Sequence, residues 1–172
     1  MEIALRALGV VGVDLAFLTD TKLTDGIYNR FSLDYHVLAT NAASHTQGGV
    51  ASVYRDSPYW QVESAVLHGP NVISAEKVSG NKRYGIVWAC IPPKDSTTSV
   101  HITAALDRFA SRRRQVILVG DLNINLDSRE SERDVIAQLL ADAGLRDMHH
   151  SFKTERRRSS TWHQNRNGEI VW

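Results

Sequence analysis

The stretch VILVGDLNIN, residues 116–125, runs from apolar residues into a glycine, an aspartate and an asparagine. Asp121 and Asn123 are the residues whose chemistry matters first. In an extended segment, residues two apart point the same way. A strand reaching Asn123 would therefore send both side chains beyond its end while Leu122 turns to the core. An aspartate there can hold Mg²⁺ or take a proton from water, and an asparagine amide can donate to a phosphoryl oxygen without adding charge. The plain alternative is a loop start, because both residue types cap backbone groups in turns. FLTDTK, residues 17–22, is a second apolar run ending in a polar turn, and it places Asp20 much as Asp121 is placed. Two strand ends that each offer an acid can converge on one hard cation. Read alone, Asp20 is a turn aspartate.

These segments need a scaffold. The chain has 172 residues, 42% hydrophobic and 23% charged, with a net charge of +1. That suits one soluble domain with a real core. No global field steers it to nucleic acid or membrane, so such a preference must come from local patches. The single cysteine, Cys90, excludes an internal disulfide framework and a multi-cysteine zinc site, and agrees with an intracellular setting. The opening MEIALRALGVVGVDLAFL superficially resembles a signal peptide, but Asp14 breaks it and no small-residue cleavage site follows, so it reads as core structure. No run is long enough to span a bilayer.

Residues 1–12 place Ile3, Leu5, Leu8 and Val11 near helical spacing, with glycines at the exit. DLAFLTD, DYHVLAT, VASVY, YWQVESAVL, NVISAEKV and KRYGIVWAC read as strands, the last stopping at Pro92-Pro93. Residues 96–110 form an amphipathic helix with Val100, Ala104 and Phe109 toward one face. QVILVGDLN follows as a continuous apolar strand of the type buried on both faces. SRESERDVIAQLLADAG is a second clear helix, with Ser131 as cap, Val135 and Leu139 as stripe and Gly144 as stop, and the tail folds as a hairpin around Asn167-Gly168. This pattern predicts an α/β or α+β sandwich, two sheets covered by helices.

The order of FLTDTK, QGGVASVYRD, IVWACIPP, QVILVGDLNIN and a late RRRSSTW resembles the endonuclease/exonuclease/phosphatase (DNase I-like) superfamily, and within it the endonuclease domains of non-LTR retrotransposons. GDLN matches the family's GD(F/L)N, QGGVAS its glycine pair before a strand, and IVWACIPP the strand ending before Pro-Pro. The resemblance covers essentially the whole chain. It implies two packed β-sheets flanked by helices and phosphodiester hydrolysis with Mg²⁺ or Mn²⁺. By the same resemblance Asp121 orients or deprotonates water, Asn123 holds a phosphate oxygen, and Asp20 takes the place of the family's metal-binding glutamate. Aspartate is one methylene shorter, which at a fixed backbone means a long bond or a bridging water. Cys90 stands where the family has a tyrosine, and it reads as a small core residue without thiolate activation.

The resemblance also leads one to expect a domain over residues 1–172 that lacks the first strand and the last strands, the latter with a Ser-Asp-His histidine. His149, His150 and His163 read as surface histidines rather than substitutes. Arg112 to Arg114 read as a solvated helix end that complements the dipole. Arg156 to Arg158 divide evenly between that reading and nucleic-acid backbone contact. The expected partner is nucleic acid, DNA, with no membrane and a reverse transcriptase domain in a longer parent protein; the location is intracellular, and nuclear if the substrate is DNA. Nuclease activity is expected to be weak or absent, the alternative being a non-enzymatic remnant that keeps the fold and nucleic-acid affinity. A phosphatase of the same superfamily fits less well, because the motif set is retroelement-like and no membrane-binding stretch occurs.

Overall fold

The computed structural model describes residues 2–24, 30–45, 48–57, 61–92, 95, 97–123, 131–146, 164–166 and 169–171. In chain order the elements are α1 (Glu2–Val11), β1 (Leu15–Thr19), β2 (Arg30–Ser32), β3 (Tyr35–Ala39), β4 (Val50–Tyr54), β5 (Gln61–Gly69), β6 (Val72–Ser79), β7 (Lys82–Cys90), α2 (Thr98–Ala110), β8 (Gln115–Asp121), α3 (Ser131–Asp142), β9 (Gln164–Arg166) and β10 (Glu169–Val171). Only β2 escapes the sequence reading, being too short to show an alternation.

Two four-stranded sheets form, ordered β1-β4-β3-β2 and β5-β6-β7-β8, with β9 and β10 paired in a small hairpin. All pairings are antiparallel except β7 with β8, which run parallel because α2 carries the chain back between them. Alternating side chains sort into layers. Leu38 and Val50 of the first sheet meet Ile73, Ile86 and Trp88 of the second, with Leu15 and Phe17 beside them. The first sheet's other face, with Val37, Ala51 and Val53, packs on Leu5 of α1. The second sheet's other face, with Val72, Val87 and Ala89, packs on Ile102, Leu106 and Phe109 of α2 and Ile136 of α3. The result is a helix–sheet–sheet–helix sandwich, the α+β class expected.

Four expectations about burial are corrected, the first in α3, where Ile136 is buried and Leu139 packs beside it while Val135 is exposed. In α1 only Leu5 is buried, and Ile3 and Val11 face solvent. In α2 the buried stripe is Ile102, Ala105, Leu106 and Phe109, while Val100 and Ala104 lie outside it. The i, i+3, i+4, i+7 row that starts at Ile102 buries larger side chains than the row through Val100 and Ala104. Strand β8 is not covered on both faces. Among the described residues it is a sheet edge, with Ile117 and Val119 at 52% and 43% exposure on the side turned away from α2. Its helix-side residues Val116 and Leu118 pack inward as expected.

Helix α2 is pinned to the β5–β6 hairpin by polar contacts as well as apolar ones. Arg108 donates to Ser74 Oγ at 2.9 Å and to the Ser64 carbonyl, and His68 Nε2 lies 2.8 Å from the same Ser74 Oγ. Burial, then the neighbouring Arg108 and His101, hold the His68 pKa below its ordinary 6.5. The fold thus favours neutral His68, and the stability it contributes is full above pH 6.5 and is lost as pH falls through the lower folded value. Lowering the pH from about 7.5 to about 5.5 should lower the melting temperature, and His68→Gln should reduce that fall. An equal fall in the variant would show that another group is responsible.

Candidate active site

Three strand ends, from both sheets, meet at one edge of the sandwich. Past the end of β1 the chain enters a left-handed turn, with Asp20 at φ 51° and Lys22 at φ 56°. Thr21 and Lys22 donate their N–H groups to the carbonyls of Gly49 and Gly48, each at 3.0 Å, so the turn lies along the glycine pair that leads into β4. Both glycines have positive φ, and a Cβ on Gly49 would stand 2.6 Å from Thr21 Oγ1. This close approach is the physical reason for QGG. Asp20 is held by the turn while about half of its side chain stays exposed. Its Oδ1 accepts the Gly48 N–H at 2.9 Å and its Oδ2 pairs with Lys22 Nζ at 3.2 Å. The Gly48 N–H first, and then Lys22, hold the carboxyl below its usual range.

At the end of β7, Cys90 is buried in the inter-sheet core and is the register partner of Asp121. It feels both acids: burial, then the charges of Asp121 and Asp20, raise its thiol to about 11. Cys90 is therefore a neutral thiol between two carboxylates, which removes thiolate chemistry and agrees with a core role.

Strand β8 closes at Asp121, and the expected joint projection of Asp121 and Asn123 is corrected here. Asn123 lies past the strand with φ 48°. Its N–H donates to Asp121 Oδ1 at 3.1 Å, and its Nδ2 donates to the Ile91 carbonyl at 2.9 Å. Asp121 caps the turn, and the Asn123 amide ties the end of β8 to the chain leaving β7, as turn residues of these types do. Both residues remain exposed at the surface of this edge.

Asp20, Cys90 and Asp121 are thus brought together, as the two matching strand ends implied. Both Asp20 oxygens are engaged, one by an ammonium, and a neutral thiol is a poor ligand for a hard ion. Among the described residues no group of three or more His, Cys, Asp or Glu could hold a metal. Two buried oxygens near the glycine pair, Thr21 Oγ1 and Asn71 Oδ1, have no partner among the described residues. Both are uncharged, a donor set for water rather than for Mg²⁺. Lys22 was missed in the sequence, because its pairing with Asp20 comes from the left-handed turn past β1, which apolar alternation does not show. His149, His150, His163 and Arg156–Arg158 lie outside the described residues. A groove of about 820 Å³ between α2 and α3 shares none of these residues.

No family model matches the chain, and no curated protein matches it in sequence. Among solved structures it is similar to the endonuclease domain of TRAS1, a telomere-specific non-LTR retrotransposon. That match has a TM-score of 0.67 at 13% identity and covers 96% of this chain and 72% of the other. The fold is DNase I-like. No helix among the described residues is long and apolar enough to cross a membrane.

Gly120 carries the steric constraint of the site. Its φ is +151°, and a Cβ there would fall 1.7 Å from the Ala89 carbonyl oxygen, a backbone atom that cannot swing away. Gly120→Ala must therefore push β8 off β7 next to Cys90 and Asp121. It should cost at least about 3 kcal/mol in chemical denaturation. A loss under about 1 kcal/mol would mean that the strands part easily there.

Proposed function

We propose that this chain is a nucleic-acid-binding domain of the retrotransposon-endonuclease type whose phosphodiesterase activity is weak or absent. The DNase I-like fold and its likeness to one such endonuclease domain support the class. The observation that carries the reading is the state of the site: Asp20 has Gly48 and Lys22 as partners on its two oxygens, and the neutral thiol of Cys90, register partner of Asp121, feels the charge of both acids.

Hydrolysing a phosphodiester requires stabilising charge on the phosphoryl oxygens and activating a water. Asp121 can orient a water through the carboxylate oxygen that the turn leaves over. The Asn123 amide is committed to Ile91, so donation from Nδ2 to a phosphate competes with a bond in the turn. Cys90 replaces the phenol that the resemblance places before Pro-Pro, and a thiol donates hydrogen bonds only weakly. Losing such groups commonly costs about two to four orders of magnitude in rate each. The domain would then contribute binding, with DNA as the first partner to try and a reverse transcriptase domain in the same parent protein as the second.

The test is plasmid nicking in Mg²⁺ and in Mn²⁺, run side by side with Asp121→Ala. The expected result is little nicking by either protein. Robust nicking by the parent protein that disappears in Asp121→Ala would overturn the proposal.

A further inference from the structure

At the end of the second sheet away from Asp121, the structure gathers cations around one buried carboxylate. Glu76, 3% exposed, lies on β6. Arg112, past the end of α2, pairs with its Oε1, and Arg83, near the start of β7, reaches its Oε2 at 3.3 Å. Arg83 also meets Glu63 of β5 at 2.9 Å. Burial alone would raise the Glu76 pKa, but hydrogen bonds from Arg112 and Arg83 outweigh it and the carboxyl is held ionised below its usual range. The helix end expected to be merely solvated is therefore anchored. Arg112 and Arg83 are held in fixed places while staying 50% and 41% exposed.

The strand register adds more charge at the same place. The parallel β7–β8 pairing begins at Tyr84 with Gln115, so Arg83 and Arg114 stand just ahead of it on neighbouring chains. One residue further out are Lys82 and Arg113. Both are exposed and neither has a salt bridge among the described residues. The Ser79–Lys82 turn of the β6–β7 hairpin adjoins them. Glu63 and Glu76 are the acids paired with these cations, and Arg112 and Arg83, with the charge of Arg114, already answer them, leaving Lys82 and Arg113 as excess positive charge. Strand β7 runs nine residues from Lys82 to Cys90, about 26 Å for its eight steps at roughly 3.3 Å per residue.

We infer that this end of the sheet, with Lys82 and Arg113 at its surface and Arg83 and Arg112 fixed behind them by Glu76, is a second polyanion-contact surface that takes the phosphate backbone of duplex nucleic acid. Forked guanidiniums held in place suit phosphate oxygens and lose less side-chain freedom on contact than free ones. An excess of cations without deep shape or an apolar floor fits contact with the charged backbone rather than with bases. The surface lies apart from the candidate active site, so it goes beyond the proposed function and can fail while that reading stands.

The experiment measures binding of a fluorescein-labelled duplex DNA by anisotropy, with salt raised from about 50 mM to about 200 mM. Lys82→Gln/Arg113→Gln is compared with the parent protein. Neither Lys82 nor Arg113 takes part in the Glu76 network, so the double variant should melt with the parent. The logarithm of affinity should fall with that of salt less steeply in the double variant, by about 0.9 for each phosphate no longer neutralised and about 1.8 for the pair. Affinity at the lower salt should drop at least tenfold. An unchanged slope in a folded double variant overturns the inference. Failure of the parent protein to bind the duplex also overturns it, leaving the surface to another polyanion such as an acidic protein segment.

Discussion

The parallel pairing of β7 with β8 is the interaction on which the site depends. It sets Cys90 opposite Asp121, continues in the Ile91 N–H to Asp121 carbonyl bond at 2.9 Å, and needs a glycine at position 120 because Ala89 leaves no room for a methyl group. Parallel strands cannot be joined by a tight turn. The chain must therefore travel back through α2, whose Phe109 seals the sheet under Gly85. Moving β8 by one residue would turn Asp121 to the opposite face and remove its pairing with Cys90. The DNase I-like arrangement brings β1 to the same edge, where Phe17 lies close to Gly120.

The same parallel pair has two ends with opposite character. Where the strands finish, turns and carboxylates gather at Asp20 and Asp121. Where they start, the end of α2 and the β6–β7 turn bring arginines together over Glu76. A buried carboxylate beside two guanidiniums must stay paired, since removing either partner leaves an uncompensated charge in the interior. That constraint orders surface arginines that would otherwise be mobile.

The acidic end also shows which partners the fold gives the residues of the two motifs. In GDLN the aspartate and asparagine are hydrogen-bonded into the turn, to each other and to Ile91. In FLTDTK the aspartate is closed by its own Lys22 and by Gly48. The two carboxylates have internal partners on three of their oxygens.

Sequence alone determined the elements and the class. Apolar alternation located nearly every strand, Pro92-Pro93 stopped β7, and the order of the short motifs pointed to the two-sheet fold that the structure has. It also found Asp20 and Asp121, because an acid that closes an apolar run stands out in one dimension. Only the tertiary structure decided what those acids touch. Periodicity carried Asn123 onward as strand, whereas the left-handed turn at φ 48° directs its amide to Ile91, a residue 32 positions away. The helix face of α2, the exposed side of β8 and the gathering of Arg83 and Arg112 on Glu76 were illegible for the same reason. A pattern along the chain tells which residues can be buried or paired, but the partner that buries or neutralises them comes from a distant segment brought near by the fold.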